Sequence, residues 1–429
     1  MTVSEGNRSP KRARELEADV VIIGGGPGGC AAAARLAEAG LDVLVIEKEK
    51  YPREKVCGDG LTPRAIKALI DLGLKDRVAC YHKIRGIRAI GFGRTMVLDW
   101  PEHPVYPSYG ATAPRTVLDA DIASYAASRG ARFLEGHEAT APAFDNGILE
   151  GFHVVAKDSG ENMLVKGRYF VLADGFLARM SRAIGVFRNR RKTMGLAIRA
   201  YYPSPKDSDP YIEAHLQITQ GGAVLPSYGW VFPLGDGTVN AGVGILTSYK
   251  RWKDVNTNLL QDELVRRCGP MWGFGSDDAL AKPKGGKLPM GLSMSPKAGS
   301  NWVAVGDAAG AINPFNGEGI GYALELAEIA ADLLVASSKR GRAFPFARYS
   351  EILDEMYGPY LAAAELFAYL IGKPKLLNIF GTIGMRSTAI MSWFLVVAAH
   401  LGDPTDKKIT SRIYYAIERV VRSFPRVLA

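Results

Sequence analysis

The sequence predicts an α/β protein: a nucleotide-binding β-α-β fold with an inserted antiparallel β domain and a helical C-terminal region. Three observations predict it. The β-branched run Ala18 to Ile23, ADVVII, ends in a glycine cluster and leads into an alanine-rich segment, the order of a parallel β-α-β unit. From Lys192 to about Lys287, short alternating apolar runs broken by Gly and Pro replace that texture. Beyond Pro345 the chain stays apolar at helical spacing.

Taken in order, Ala31 to Ala39 is expected to be a helix stopped by Gly40, and Leu41 to Ile46 the second strand. Ile66 to Leu74 is a helix ending at Gly73, and His82 to Tyr109 holds short strands of another sheet. Arg115 to Arg129 is helical, and Phe152 to Lys157 and Tyr169 to Ala173 return to the first sheet. In the all-β stretch, Met194 to Tyr201, Ala214 to Ile218, Gly229 to Pro233 and Thr238 to Ile245 are strand candidates. Trp302 to Val305 re-enters the nucleotide fold, followed by a helix over Gly319 to Ser337. Phe346 to Tyr369, Lys375 to His400 and Thr410 to Phe424 are the C-terminal helices. The expected domains are a mobile tail over 1–17, a nucleotide domain over 18–81, 110–190 and 288–345, a β domain over 82–109 and 191–287, and the helical region 346–429.

With 429 residues, 47% hydrophobic and 23% charged, the chain is globular and long enough for two or three domains. Four scattered cysteines, Cys30, Cys57, Cys80 and Cys268, suit neither a disulfide framework nor a zinc site, and point to a reducing compartment. No metal is expected. The net charge of +9 carries no run of five like charges, so no nucleic-acid partner is expected. The longest apolar stretch, Ser387 to Gly402, falls short of the roughly 20 residues of a spanning helix. The amphipathic Thr410 to Phe424 segment suits either a membrane surface or packing on the protein over the tunnel. A cytoplasmic protein, peripheral on the inner face of the cell membrane, is the expectation.

Gly24-Gly-Gly26-Pro27-Gly28-Gly29 fits G-x-G-x-x-G between a strand and a helix. Its glycines let a pyrophosphate approach the backbone at a helix N-terminus, and Glu47, about twenty residues on, can accept ribose hydroxyls. Asp174-Gly175 and Gly306-Asp307 each follow a strand, and Asn313-Pro-Phe-Asn-Gly-Glu-Gly-Ile320 precedes the long helix. This set resembles the glutathione-reductase-type flavoproteins of the p-hydroxybenzoate-hydroxylase fold. The resemblance implies FAD, with Asp307 on the ribityl chain, Asp174 and Gly175 near the cofactor, and Arg115 approaching its phosphates. It also places the flavin ring beside Pro314, Gly317, Gly319 and Ile320, where the free N–H groups of the following helix start would stabilise negative charge on the reduced ring.

Within that fold, YPREKVCGDGLTPR at 51–64, YGWVFP at 228–233 and NPFNGEGI at 313–320 resemble the geranylgeranyl reductase family, in its motif order and over roughly residues 18–345. CGDGLTPRAI is most similar to the bacterial menaquinone side-chain reductases. The resemblance implies reduction of isolated C=C bonds in a polyprenyl lipid or quinone, by hydride from reduced flavin N5 plus a proton. It puts Cys57 and Gly58 beside the flavin, Cys57 as a weak acid or tunnel wall. An unpolarised alkene reacts through cationic character, so a dry tunnel with aromatic faces is needed. Tyr228, Trp230 and Phe232 alternate along one strand and share a face; they are the expected substrate-binding residues, Tyr228 and Trp230 also catalytic. Arg53 and Lys55 are expected either to meet phosphate or a donor, or to be solvated. No second glycine motif marks an NADPH domain, so NAD(P)H or a reduced ferredoxin-like protein would supply electrons.

Two other readings compete. An FAD monooxygenase or halogenase would add oxygen or halogen to an aromatic ring, but YGWVFP is not the Trp-x-Trp-x-x-Pro motif of the halogenases. A non-catalytic prenyl-binding protein of the same fold would have no use for a complete set of phosphate, ribose and ring segments.

Overall fold

The computed structural model describes residues 14–220, 223–340 and 347–402. Its first sheet has seven strands. Arg132–Glu135, Val43–Glu47, Arg14–Ile23, Asn162–Leu172 and Trp302–Ala304 run parallel, and Ile148–Ala156 and His137–Asp145 continue the sheet as an antiparallel meander. Val20 to Ile23, Val43 to Ile46 and Phe170 to Leu172 are buried. Strands covered on both faces carry continuous apolar runs, which is how the sequence displayed them.

The first strand begins earlier than Ala18. Arg14 to Glu17, assigned by sequence to a tail, pair with Met163 to Lys166. Their side chains are largely exposed, so the pairing rests on backbone hydrogen bonds that composition does not reveal. Gly24 ends the strand at φ +102°, where a Cβ would lie 2.3 Å from the Ala173 carbonyl oxygen. The turn therefore requires glycine and brings the Pro27–Glu38 helix against the strand ends. That helix packs on Arg115–Ser128 and Ile320–Arg340 through buried alanines, Ala31 to Ala34 among them.

The second sheet also has seven strands, in the order Lys284–Pro289, Met194–Pro203, Thr238–Leu246, Ser227–Pro233, Tyr211–His215, Gly86–Gly91 and Arg94–Asp99. All pairs are antiparallel except Tyr211–His215 with Gly86–Gly91, which run parallel and join the two separated chain segments. The stretch expected to be all-β also contains a helix, Thr257–Trp272, capped by the Asn256 side chain. Leu260, Leu264, Val265, Cys268 and Trp272 pack on Ile198, Val231, Val239, Ala241 and Val243. The apolar stripe at helical spacing was there to be read, but Gly269-Pro270 interrupts its last turn. This helix covers one face of the sheet and leaves the other to face the nucleotide domain.

The C-terminal region contains Ala347–Ile371, Pro374–Gly384 and Thr388–Ala398. The single helix expected over Lys375 to His400 is thus two, because Ser387 starts a new one by accepting the Ile390 N–H. The expected Thr410 to Phe424 helix and residues 1–13 of the tail lie outside the described residues. Met391, Leu395 and Ala399 pack on Ala89, Leu98 and Trp100 of the β domain. Among the described residues, no helix is long and apolar enough to cross a membrane. Replacing Gly24 by Ala forces an alanine into a left-handed conformation against a carbonyl; a loss of about 2 kcal/mol or more is expected in denaturant unfolding, with weaker FAD retention.

Candidate active site

The first turn of the Pro27–Glu38 helix carries neither a side-chain cap nor an acidic residue. Its N–H groups therefore face the cavity with the positive end of the helix dipole. Glu47, at the end of its strand, accepts the Gly25 N–H at 2.8 Å and the Glu49 N–H at 3.0 Å. Arg53 and Lys55 are not solvated. Arg53 donates to the Gly25 carbonyl and bridges Glu47 and Asp119. Lys55 lies over the Phe176 ring at 4.7 Å. Burial pushes the Lys55 ammonium down, Asp307 pulling it back up; burial pushes Asp307 up, and Lys55 and Arg115 oppose that. Lys55 thus sits at the Asp174-Gly175 turn, within electrostatic reach of Asp307.

Two expected ligands are committed elsewhere. Arg115 is buried in a two-pronged bond to Asp119, at 2.6 and 2.8 Å. Its charge is thus compensated by a carboxylate within the fold. The Asp174 carboxylate takes the N–H groups of Met180 and Ser181 and the Ser181 hydroxyl. These bonds hold the start of the Arg179–Ala183 helix, and Asp174 and Gly175 both line the cavity.

The run around Cys57 is held by a buried polar knot. Asn240 donates to the Cys57 carbonyl and to Asp59 Oδ2, both at 2.8 Å. Tyr201 donates to Asp59 Oδ2 at 2.7 Å, and Arg199 to the Cys57 carbonyl at 3.2 Å. Asp59 adopts a left-handed backbone, φ 65°. Burial pushes its carboxyl up to about 6, while Tyr201, Asn240 and Arg199 favour the ionised form. Cys57 is half-buried, and what it opens onto is the cavity. Burial pushes its thiol up, with Arg115 acting against this, so at neutral pH Cys57 is a thiol and not a nucleophilic thiolate.

Strand parity presents the aromatic trio. Val231 packs on the covering helix, and a Cβ at Gly229 would meet Leu264 at 2.5 Å; Tyr228, Trp230 and Phe232 therefore point the other way. Their rings follow one another at centroid distances of 5.8 and 6.2 Å. On the neighbouring strand Gly242 makes room for Trp230, since a Cβ there would lie 2.3 Å from the indole. Trp230 Nε1 donates to Asn240 Oδ1 at 2.9 Å, and the Tyr228 hydroxyl donates to the Asn316 carbonyl at 3.1 Å. A Cβ at Gly60 would come within 2.8 Å of Phe232. Asn240 and Gly242 were missed in the sequence; alternation of polar and glycine residues in Asn240-Ala-Gly242-Val-Gly244 was the available signal of close approach.

The Asn313 to Ile320 segment joins the site to the C-terminal helices. Asn313 donates to the Tyr360 hydroxyl at 2.8 Å and to the Ala398 carbonyl at 2.9 Å. Phe315 packs against Tyr360, Phe367 and Phe394. One cavity of about 920 Å³ contains the whole arrangement. Gly24, Gly26, Pro27, Gly28, Gly29, Glu47, Cys57, Gly58, Arg115, Asp174, Gly175, Tyr228, Trp230, Phe232, Asp307, Pro314, Gly317, Gly319 and Ile320 all line it. So do Phe92, Leu98 and Leu216 of the β domain and Phe367, Phe380, Met391 and Phe394 of the C-terminal helices. An anionic dinucleotide fits the uncapped helix start, the glycine turn and Lys55, and an apolar chain fits the other end.

A glycine-lined dinucleotide cradle opening into an aromatic-walled apolar cavity defines an FAD-dependent oxidoreductase. Residues 17–343 match the FAD-binding domain family. The chain is 40% identical over 399 residues to menaquinone reductase of Mycobacterium tuberculosis, covering 92% of this chain and 94% of that protein. It is 28% identical to digeranylgeranylglycerophospholipid reductase 2 of Methanosphaera stadtmanae, covering 76% of this chain and 80% of that one. A geranylgeranyl bacteriochlorophyll reductase-like structure from Thermoplasma acidophilum shares the fold with a TM-score of 0.76 at 21% identity, covering 94% of this chain and all of that one. The chain belongs to the menaquinone reductase family of FAD-binding flavoproteins.

Asn240→Ala would leave Asp59 with one donor, the Cys57 carbonyl with one and the Trp230 N–H with none. We expect a loss of about 2–4 kcal/mol in urea unfolding and a shift in tryptophan emission.

Proposed function

We propose that this protein saturates isolated C=C bonds in the isoprenoid side chain of a quinone of the menaquinone class. The observation that carries the reading is the single cavity running from the nucleotide cradle, past the aromatic trio, to an apolar shell built by two different domains. The relatives' reactions point the same way. An aromatic hydroxylase or halogenase would need room for a compact ring rather than this extended apolar shell.

Bound FAD supplies a hydride donor once it is reduced. The Gly24 to Gly29 turn and the helix start would hold its pyrophosphate, Lys55 would add positive charge, and Asp307 would take the ribityl hydroxyls. Glu47 Oε1, which accepts only the Glu49 N–H, keeps a lone pair for the ribose, whereas Oε2 already meets the Gly25 N–H and Arg53. Tyr228, Trp230 and Phe232 align the alkene, exclude water and stabilise developing cationic character by roughly 0.5–2 kcal/mol per ring. Cys57 serves as a neutral wall residue beside the flavin. Electrons come from NAD(P)H or a reduced ferredoxin-like donor, since only one dinucleotide motif is present.

The cavity mouth supports membrane-surface access. Phe380, Ile383 and Ile390 line the cavity and are also 47%, 54% and 43% exposed, so they sit at its opening. Ile379 is exposed beside them, with exposed Lys373, Lys375 and Arg386 around this apolar crest. An apolar edge with a cationic rim suits the interface of an anionic bilayer, from which a lipid-dissolved quinone could enter.

Dithionite-reduced protein incubated with menaquinone and with geranylgeranyl lipids is expected to add two hydrogens per reduced bond, read by mass; addition of one oxygen atom under air would overturn this reading. Joint Phe380→Asp and Ile383→Asp replacement is expected to weaken flotation with anionic liposomes at least about tenfold while flavin content stays unchanged. Equal flotation of variant and wild type would remove the membrane contact.

A further inference from the structure

Alkene reduction consumes a hydride and a proton, and the site described so far accounts only for the hydride. Resting on the function proposed above, we infer that Glu318 is the acid that protonates the double bond. The O–H bond at Oε2 breaks and a C–H bond forms at one alkene carbon, while the other carbon receives the hydride of the reduced cofactor. The product is a saturated CH–CH unit, and the remaining carboxylate is reprotonated from solvent before the next turnover.

Glu318 belongs to the segment that lines the cavity beside Gly317 and Gly319. Its Oε1 accepts the Thr62 hydroxyl at 2.6 Å, whereas its Oε2 is buried and has no hydrogen-bond partner. An ionised carboxylate with an unpartnered buried oxygen is costly, and the neutral acid is favoured there. The residue as a whole is half-buried, and it opens onto the cavity. Two residues away, the Asn316 carbonyl receives the Tyr228 hydroxyl, so the acid and the aromatic strip are anchored on the same segment.

The surroundings set the proton's availability. Burial raises the carboxyl to about 7; Thr62, Arg64 and Asn316 act downward and Glu325 upward. Arg64 is committed to Glu325 at 2.6 and 2.7 Å. The phenols of Tyr106, Tyr322 and Tyr360 are raised, chiefly by burial, and stay neutral. Burial also holds His400 well below its ordinary range, so it too is neutral. The other acids of the cavity fit less well. Asp59 also has an unpartnered oxygen, Oδ1. Its Oδ2 takes two donors and its carboxyl reaches only about 6, so it is largely ionised near neutral pH. The Cys57 thiol, raised above its ordinary value, is a far weaker acid.

The test uses flavin-loaded Glu318→Gln. Flavin absorbance is expected to match wild type, while reoxidation of the reduced enzyme by the polyprenyl substrate slows at least about 100-fold. Donation requires the protonated acid, so the wild-type rate should fall as pH rises through about 7, and this limb should vanish in the variant. Infrared titration of the oxidised holoenzyme, without substrate, should show a protonated carboxyl band that ionises over the same range and is absent from Glu318→Gln. Thr62→Val removes the hydrogen bond that favours the carboxylate and should move the limb to higher pH. A Glu318→Gln enzyme that keeps both rate and limb, or a Glu318 carboxyl ionised well below neutral pH, would overturn the role of Glu318. A wild type that hydrogenates no polyprenyl compound would instead overturn the substrate reading.

Discussion

The buried hydrogen bonds of Asn240 are the constraint on which the rest of the site depends. One side chain from the β domain holds the Cys57 carbonyl, the Asp59 carboxylate and the Trp230 indole at once. The loop following the second nucleotide strand is thereby fixed against the aromatic strand. Tyr201 on Asp59, Arg199 on the Cys57 carbonyl and Tyr228 on the Asn316 carbonyl add to that tie between the two domains. Burial makes the tie strong, because each group would otherwise be left without water or partner.

The β sheet separates two tasks by the parity of its strands. One face packs on the Thr257–Trp272 helix through Ile198, Val231, Ala241 and Val243 and supplies stability. The opposite face carries Arg199, Tyr201, Asn240 and the three aromatics, and supplies the site. A shift of register by one residue would exchange the two sets. Glycines at 242 and 60 serve this second face: each takes up the space a side chain would need and gives it to an indole or a phenyl ring.

A second tie closes the cavity from the other side. Asn313 binds Tyr360 and the Ala398 carbonyl at the end of the Thr388–Ala398 helix, and Arg64 donates to the His400 carbonyl. His400 stacks on Tyr360 with ring centroids 3.5 Å apart. The C-terminal helices are thus attached at the Asn313 to Ile320 segment, while Phe380, Ile383 and Ile390 are exposed along the cavity. Charge is graded along the same line: cationic and polar around the nucleotide cradle, neutral at the aromatic strip, apolar beyond it. A dinucleotide and a hydrocarbon chain can therefore occupy one cavity without either entering the other's end.

By itself the sequence determined the nucleotide fold, because a buried parallel strand, a glycine turn and a packed helix each impose a local pattern that few other arrangements share. It also determined the aromatic face, since alternation along a strand decides sidedness without reference to anything distant. Tertiary structure alone decided which charges already hold a partner: Arg115, expected to approach a phosphate, carries Asp119, and Lys55, left open between phosphate, donor and solvent, lies over Phe176. It alone revealed the partners of Asn240 and Asp59, the burial of Glu318 against Thr62, the parallel pairing of Arg14 to Glu17 and the break at Ser387. The reason is common to all of them. A polar side chain's function depends on which groups burial places around it, and residues 59 and 240, or 62 and 318, are brought together only by the folded chain.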